Sequence, residues 1–443
     1  MGDNIKILKV SLIVIFFWTF IGGFIFSYTL FTGGPDSLGI LIGFANTILS
    51  PHLIILYPII TIFFSKLIPK EKHKIIYSLI IIIGLSLSII YAIPLFAVPI
   101  SIQQTNSQFY SNYGSNWNTF PAEVQNNFYT TPFELYLLYY GIPDSNDHKF
   151  GVYKDIIFVN ETDYQLYFDV YYPKELGFVN NATIIYIHGG AWTGGEKEQQ
   201  ASTLEYFASQ GYVVFAIEYR LLNASLLEEN SDSEIISGLF NLQTTGLEYR
   251  TGNYTLADQI TDIGTFTKFI ANNSNNIYGA NLNRVFFMGG SAGAHLAGVC
   301  GFGYKNEYFN GIFSSALNIS GLVLYYPPNN ASEFFYYVNK MYYEINQFIP
   351  GTPETNPEAY LYYSPSYLIN ENSPPCILLH GTSDTMVPYK ESITIQLKMK
   401  ENNRICILIP GYFGGHGHIS GIQHNFMTTY YIERFLYHNT YYN

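Results

Sequence analysis

Residues 288–298 read MGGSAGAHLAG and follow directly on Val285-Phe286-Phe287, so a serine sits between glycines at the point where an apolar run stops. A small polar residue at the end of a strand is ordinarily a turn former, and that plain reading must be weighed against the rest of the chain. The five residues Gly289-Gly290-Ser291-Ala292-Gly293 fit G-x-S-x-G, with a strand-like run before them and a helix-like run, AHLAGVCGF, after them. Glycines two residues to either side of Ser291 permit the strained strand-to-helix turn that lifts a nucleophilic hydroxyl above a sheet.

The flanking sequence carries the same alternation. YQLYFDVYY (Tyr164 to Tyr172), ATIIYIHGG, GYVVFAIEYR, PPCILLHG and RICILIPG are short β-branched and aromatic runs, each stopped by glycine, histidine or arginine. Between them lie helical patterns. LADQITDIGTFTKFIANN, from Leu256, repeats Ile260, Ile263, Phe266 and Phe269 about once per turn. Alternation of this kind predicts an α/β fold, a mainly parallel sheet with helices on both faces. Active groups in such sheets collect at the carboxyl ends of the strands.

Three further stretches add to the serine turn. His188-Gly189-Gly190-Ala191-Trp192 closes an earlier strand, where backbone N–H groups are needed to bind a developing oxyanion. HGTSDTMVP places Asp384 four residues beyond His380, after Ser291 and before a histidine cluster, which is the chain order Ser, Asp, His. FGGHGHISGIQH offers His416, His418 and His424. His424 falls in the last helical run. The glycines around His416 suit a loop end and favour it as the base, with His418 as the rival. A His-x-His metal site has no acidic or cysteine partner nearby in sequence.

On these residues the chain resembles the esterase/lipase branch of the α/β-hydrolases. HGGAW, GGSAGAHLAG, YFDVYYP and HGTSDTMVP are similar to the motifs of hormone-sensitive-lipase-like and feruloyl-esterase-like carboxylesterases, with isoprenylcysteine methylesterases and kynurenine formamidases as relatives. The similarity spans about residues 150–437. It implies Ser291 as nucleophile, Asp384 as acid and His416 as base, with an oxyanion hole from the amides of Gly190, Ala191 and Ala292 and supporting roles for His188, Gly189, Trp192, Gly289 and Gly293. It calls for no metal or organic cofactor. The sequence departs from the family pattern in a longer segment between Leu221 and Thr255, a lid or a surface insertion, and in an extended loop between Pro410 and His416.

Ahead of this domain, expected over 149–443, the first hundred residues read as a membrane anchor. Three uncharged apolar stretches, about 10–31, 38–64 and 75–100, each reach the roughly 20 residues needed to cross the hydrocarbon core. Ser50-Pro51-His52 interrupts the second and could kink or split it. Lys6 and Lys9 precede the first stretch and four lysines lie in SKLIPKEKHK, whereas TGGPDS has none, so the positive-inside rule puts the amino terminus in the cytoplasm and everything after residue 100 outside it, extracytoplasmic or lumenal. Asn-x-Ser/Thr triplets, among them Asn160, Asn181 and Asn253, agree with that side. Residues 101–148 read as a spacer partly packed on the next domain.

Charge narrows the partners. The first hundred residues carry six lysines against three acidic groups, whereas the whole chain is −12, so the domain beyond is strongly acidic and nucleic acid is excluded as a partner. Cys300, Cys376 and Cys406 lie in apolar runs without ligand spacing and read as buried thiols. The sequence therefore predicts a membrane-anchored serine carboxylic-ester hydrolase acting on a small-molecule or lipid ester. Alternatives are an amidase, formamidase or acyltransferase with the same triad, or a non-catalytic binding module on the same fold. A transporter is disfavoured, because the apolar stretches hold no acidic or arginine residue and only His52 as an ionisable group.

Overall fold

The computed structural model describes residues 2–32, 37–134, 149–174, 182–223, 225–226, 247–338, 342–343, 348–417 and 422–441. Three helices come first: α1 (Gly2–Thr32), α2 (Ser37–Ser65) and α3 (Lys74–Tyr113). Among the described residues, Val14–Thr32 and Lys74–Tyr113 are long and apolar enough to cross a membrane, and the part Leu49–Ser65 is shorter. α2 runs on through Pro51 and Pro58 as one helix rather than splitting at the Ser50-Pro51-His52 interruption. α3 does not end with its apolar stretch. It continues unbroken past Ile100 to Tyr113.

Eight strands then form one sheet: β1 (Phe150–Asn160), β2 (Gln165–Pro173), β3 (Thr183–Ile187), β4 (Val213–Ile217), β5 (Val285–Gly290), β6 (Ile319–Tyr325), β7 (Cys376–Gly381) and β8 (Cys406–Gly411). Their spatial order is β1-β2-β4-β3-β5-β6-β7-β8. β2 is antiparallel to both β1 and β4, and every pairing from β4 to β8 is parallel. The expected α/β-hydrolase architecture is what the chain adopts, with two strands, β1 and β6, added to those read from the sequence.

Alternate residues of the buried strands feed two cores, as period-two geometry dictates. Ile185, Phe215, Phe287, Leu322 and Leu378 face one side, against α5 (Leu256–Ile277), α6 (Ala292–Gly303) and α7 (Lys390–Glu401). The α5 stripe Ile260, Ile263 and Phe266 is fully buried there. On the other side Ile184, Val214, Phe286, Val323 and Ile377 meet α4 (Ala201–Ser209), α8 (Ile422–Tyr441) and the far end of α3 through Phe109.

That end of α3 closes the sheet edge. An edge strand exposes unpaired N–H and C=O groups that invite pairing with another chain. Gln108 satisfies both groups of Leu408 on β8, accepting its N–H on Oε1 at 2.8 Å and donating from Nε2 to its carbonyl at 2.8 Å. Ser101 Oγ donates to the carbonyl of Pro410 at 2.7 Å, at a residue that has no N–H to leave unpaired. Residues 101–113 are thus an integral cover of the sheet.

Candidate active site

Ser291 stands at the turn between β5 and α6 with φ 53° and ψ −124°, a left-handed backbone that side-chain-bearing residues rarely adopt. The positions two residues to either side leave no room for anything larger than glycine. A Cβ on Gly289 would lie 2.5 Å from the Gly293 carbonyl oxygen, and one on Gly293 would lie 2.1 Å from that of Ile187 on the adjacent strand β3. Crowding by β3 and by the first turn of α6 therefore accounts for the G-x-S-x-G pattern.

From this turn a continuous hydrogen-bonded line runs through three of the expected residues. Ser291 Oγ lies 3.1 Å from His416 Nε2, and His416 Nδ1 lies 2.8 Å from Asp384 Oδ2. The other carboxylate oxygen of Asp384 accepts from the amides of Met386 and Val387, each at 2.9 Å. Burial alone would raise the Asp384 carboxyl. The facing His416 and His380 outweigh that and hold it well below the usual carboxylate range. Asp384 Oδ1 and Oδ2 are therefore fixed acceptors, and the imidazole is oriented with Nε2 towards the serine.

The loops carrying Asp384 and His416 are laced together. Ser383 N donates to the Gly414 carbonyl at 2.9 Å and Phe413 N to Thr382 Oγ1 at 3.0 Å. Gly381 is required at this crossing, since a Cβ there would lie 2.3 Å from the Gly414 carbonyl oxygen. Of the two rival histidines it is His416 that meets Ser291 and Asp384. His418 lies outside the described residues, as does most of the Leu221–Thr255 insertion, and His424 falls in α8.

The His188–Trp192 turn follows β3, beside the serine. Gly190, Ala191 and Trp192 all have positive φ, at 123°, 50° and 65°. Among the described residues no hydrogen bond engages the Ala191 amide, and Ala292 opens α6 with the free amide that every helix amino terminus carries. The Trp192 indole is buried, stacks on Phe334 and donates from Nε1 to His295 Nδ1 at 3.3 Å.

Several partners were not legible in the motifs. Arg250 is fully buried and reaches His188 Nε2 at 3.1 Å and the Gly195 carbonyl at 2.7 Å, from within the long insertion where no local pattern marks it. His380 contacts Asp384 Oδ2 at 3.4 Å while bonding the Val387 carbonyl and Ser392. Its place at the end of a strand, four residues before the aspartate, was the available signal. Tyr326, at φ 39°, sets its ring edge-on to His416 with centroids 4.6 Å apart. Asp155, Asp169 and Glu198 form the one acidic cluster of metal-binding size among the described residues, and Lys197 Nζ sits within 3.3 Å of all three.

A family profile described as BD-FAE matches residues 168–232 and 234–399, just over half of the chain. The chain is 24% identical over 251 residues to the probable carboxylic ester hydrolase LipM of Mycobacterium tuberculosis, covering 54% of this chain and 51% of that one. It is 23% identical over 281 residues to esterase LipC of the same organism, covering 61% of each. It thus spans little more than half the length of these relatives. Among solved structures, the apo form of Thermogutta terrifontis esterase 2 superposes with a TM-score of 0.46 at 20% identity, over 66% of this chain and 93% of that one.

Proposed function

The chain belongs to the BD-FAE family, and from that membership and the geometry around Ser291 we propose that it is a membrane-anchored serine hydrolase of carboxylic esters. The observation that carries the reading is the unbroken line Ser291 Oγ, His416, Asp384 at 3.1 and 2.8 Å. Named relatives that are esterases support the ester as the bond attacked.

In this reading His416 Nε2 takes the Ser291 proton as Oγ attacks the ester carbonyl, while Asp384 holds the proton on Nδ1 and stabilises the imidazolium that forms. The tetrahedral oxyanion is received by the amides of Gly190, Ala191 and Ala292, each donor being worth about 3 kcal/mol in comparable sites. The amino terminus of α6 adds its dipole at the same point. His416 then returns the proton to the departing alkoxide. Water, activated by the same imidazole, releases the acid from Ser291.

The anchor comprises three spans, α1, α2 and the part of α3 up to about Ile100, with the amino terminus cytoplasmic and the hydrolase domain extracytoplasmic or lumenal. Support comes from large apolar side chains turned outward, such as Phe17, Trp18 and Ile25 on α1 and Ile82, Ile89 and Phe96 on α3. A surface of that kind belongs against lipid.

The test is hydrolysis of a matched pair, p-nitrophenyl butyrate and butyryl p-nitroanilide, by the full chain in detergent. The reading expects ester turnover that Ser291→Ala abolishes. Faster cleavage of the anilide, or ester turnover surviving in Ser291→Ala, overturns it.

A further inference from the structure

We infer that the mouth of the Ser291 site faces the bilayer and that its substrate is an ester whose acyl chain resides in the leaflet beside it. The inference rests on the reading of Ser291 as nucleophile and names the substrate class of that site. It follows from the direction in which the helix leaving the apolar anchor meets the sheet.

α3 and β8 run in opposite senses where they touch. Ser101 bonds Pro410, and Gln108, further from the apolar segment, bonds Leu408, nearer the start of the strand. Seven residues of helix advance about 10 Å away from the apolar segment. Over the same interval the strand retreats two residues, about 7 Å. β8 therefore points its carboxyl end back towards the apolar end of α3. Strands β3 to β7 are parallel to it, so the whole carboxyl edge of the sheet, with the serine turn and the Asp384 and His416 loops, points the same way.

The height of that edge can be read from side chains. Ile100 is the last large exposed apolar residue of the α3 stretch, and Gln103 and Gln104 follow it. Tyr412 OH donates to Gln104 Oε1 at 2.8 Å, so the segment leading to His416 is fastened one turn past the apolar boundary. His416 follows Tyr412 by four positions, at most about 14 Å of chain. A second contact comes from α1. Phe31, at the far end of the first apolar helix, packs edge-on against Phe413 with centroids 5.6 Å apart. Two apolar helices thus meet the base-carrying loop from the membrane side.

An apolar acyl chain in this position needs to move only along the leaflet to reach the serine. Its transfer through water, which would expose every CH₂ of the chain, is avoided.

The test reconstitutes the full chain in phosphatidylcholine vesicles and compares p-nitrophenyl palmitate, held in the bilayer, with p-nitrophenyl acetate in the water. We expect palmitate hydrolysis to be at least tenfold faster when the ester is in the protein's own vesicles than when the same amount is in protein-free vesicles, and to fall as inert lipid dilutes it. Acetate hydrolysis should not respond to lipid. A fluorophosphonate bearing a fluorophore, attached at Ser291, should be quenched by spin-labelled lipid. Acetate turnover with palmitate hydrolysed equally from either vesicle, or with no quenching of the attached probe, overturns the membrane-facing site and leaves the hydrolase reading intact. No turnover of either ester and no probe attachment removes the hydrolase reading, and this inference with it.

Discussion

Arg250 Nη1 lies 3.1 Å from His188 Nε2, and because a guanidinium only donates, that nitrogen of His188 is an acceptor. The proton of the ring is therefore on Nδ1, which donates to the Gly189 carbonyl at 2.8 Å. Burial, reinforced by the Arg250 charge, holds His188 well below the usual histidine range and keeps it neutral. Through Nη2 the same guanidinium holds Gly195, so one buried cation ties together both ends of the turn that presents Gly190 and Ala191.

Replacing Arg250 should therefore act on the rate through the shape of that turn. Arg250→Lys keeps the charge but cannot hold two acceptors in a fork. It should lower kcat on a short ester at least tenfold with little change in KM. Arg250→Met leaves His188 Nε2 and the Gly195 carbonyl without their buried donor and should destabilise the fold by about 1 to 3 kcal/mol for each. Steady-state kinetics and denaturant melts of the two variants check this.

Backbone strain at Ser291 gives a second expectation. A non-glycine residue at φ 53°, ψ −124° stores about 1 to 3 kcal/mol. Ser291→Gly should be more stable than Ser291→Ala by about 1 kcal/mol, with both inactive. Equal stability of the two would mean that the turn relaxes in solution.

Most of the candidate site was legible because it depends on local rules. The serine turn needs glycine where β3 crowds it, and the strands β2, β3, β4, β5, β7 and β8 announce themselves as apolar runs with hard stops. β6 was not read, because Gly321 interrupts ISGLVLY. That glycine is there for a tertiary reason, since a Cβ would press on the Phe286 ring at 3.0 Å. β1 was not read because its pairing with β2 shifts register twice and much of its length is exposed, which blurs the period of two. Arg250 and Gln108 act over sequence separations of 62 and 300 residues, where no local pattern can point. The helical continuation of α3 beyond Ile100 is polar, and its role appears only against the edge of β8.

Histidine 295 makes stability depend on pH. Burial lowers its pKa to about 4, against an ordinary value of 6.5, and the neutral ring accepts from Trp192 and donates to the Tyr363 carbonyl. The unfolded chain therefore binds a proton that the folded chain does not between pH 6.5 and about 4. Stability should be fully present above that window and fall as pH drops through it, by an amount on the order of 3 kcal/mol from this residue. His295→Gln, whose amide can both accept and donate, should show a shallower decline in melting temperature between pH 7 and 4. An unchanged slope would contradict the assignment.

Asp384 should behave as a fixed anion. Because its carboxyl is held below the usual range, it stays ionised above about pH 4. Asp384→Asn preserves the size of the side chain but removes the charge that sets the His416 tautomer. In comparable triads this change lowers kcat by about 10⁴, and a loss of that order is expected here. A loss below tenfold would mean that another group orients the imidazole.

The most direct measurement is covalent labelling of membranes carrying the full chain with a fluorophosphonate, followed by peptide mapping. The account predicts a single modified residue, Ser291, with labelling lost in Ser291→Ala and at least a hundredfold slower in His416→Ala. Folded protein that never labels, or that labels equally well without Ser291 or without His416, would contradict it.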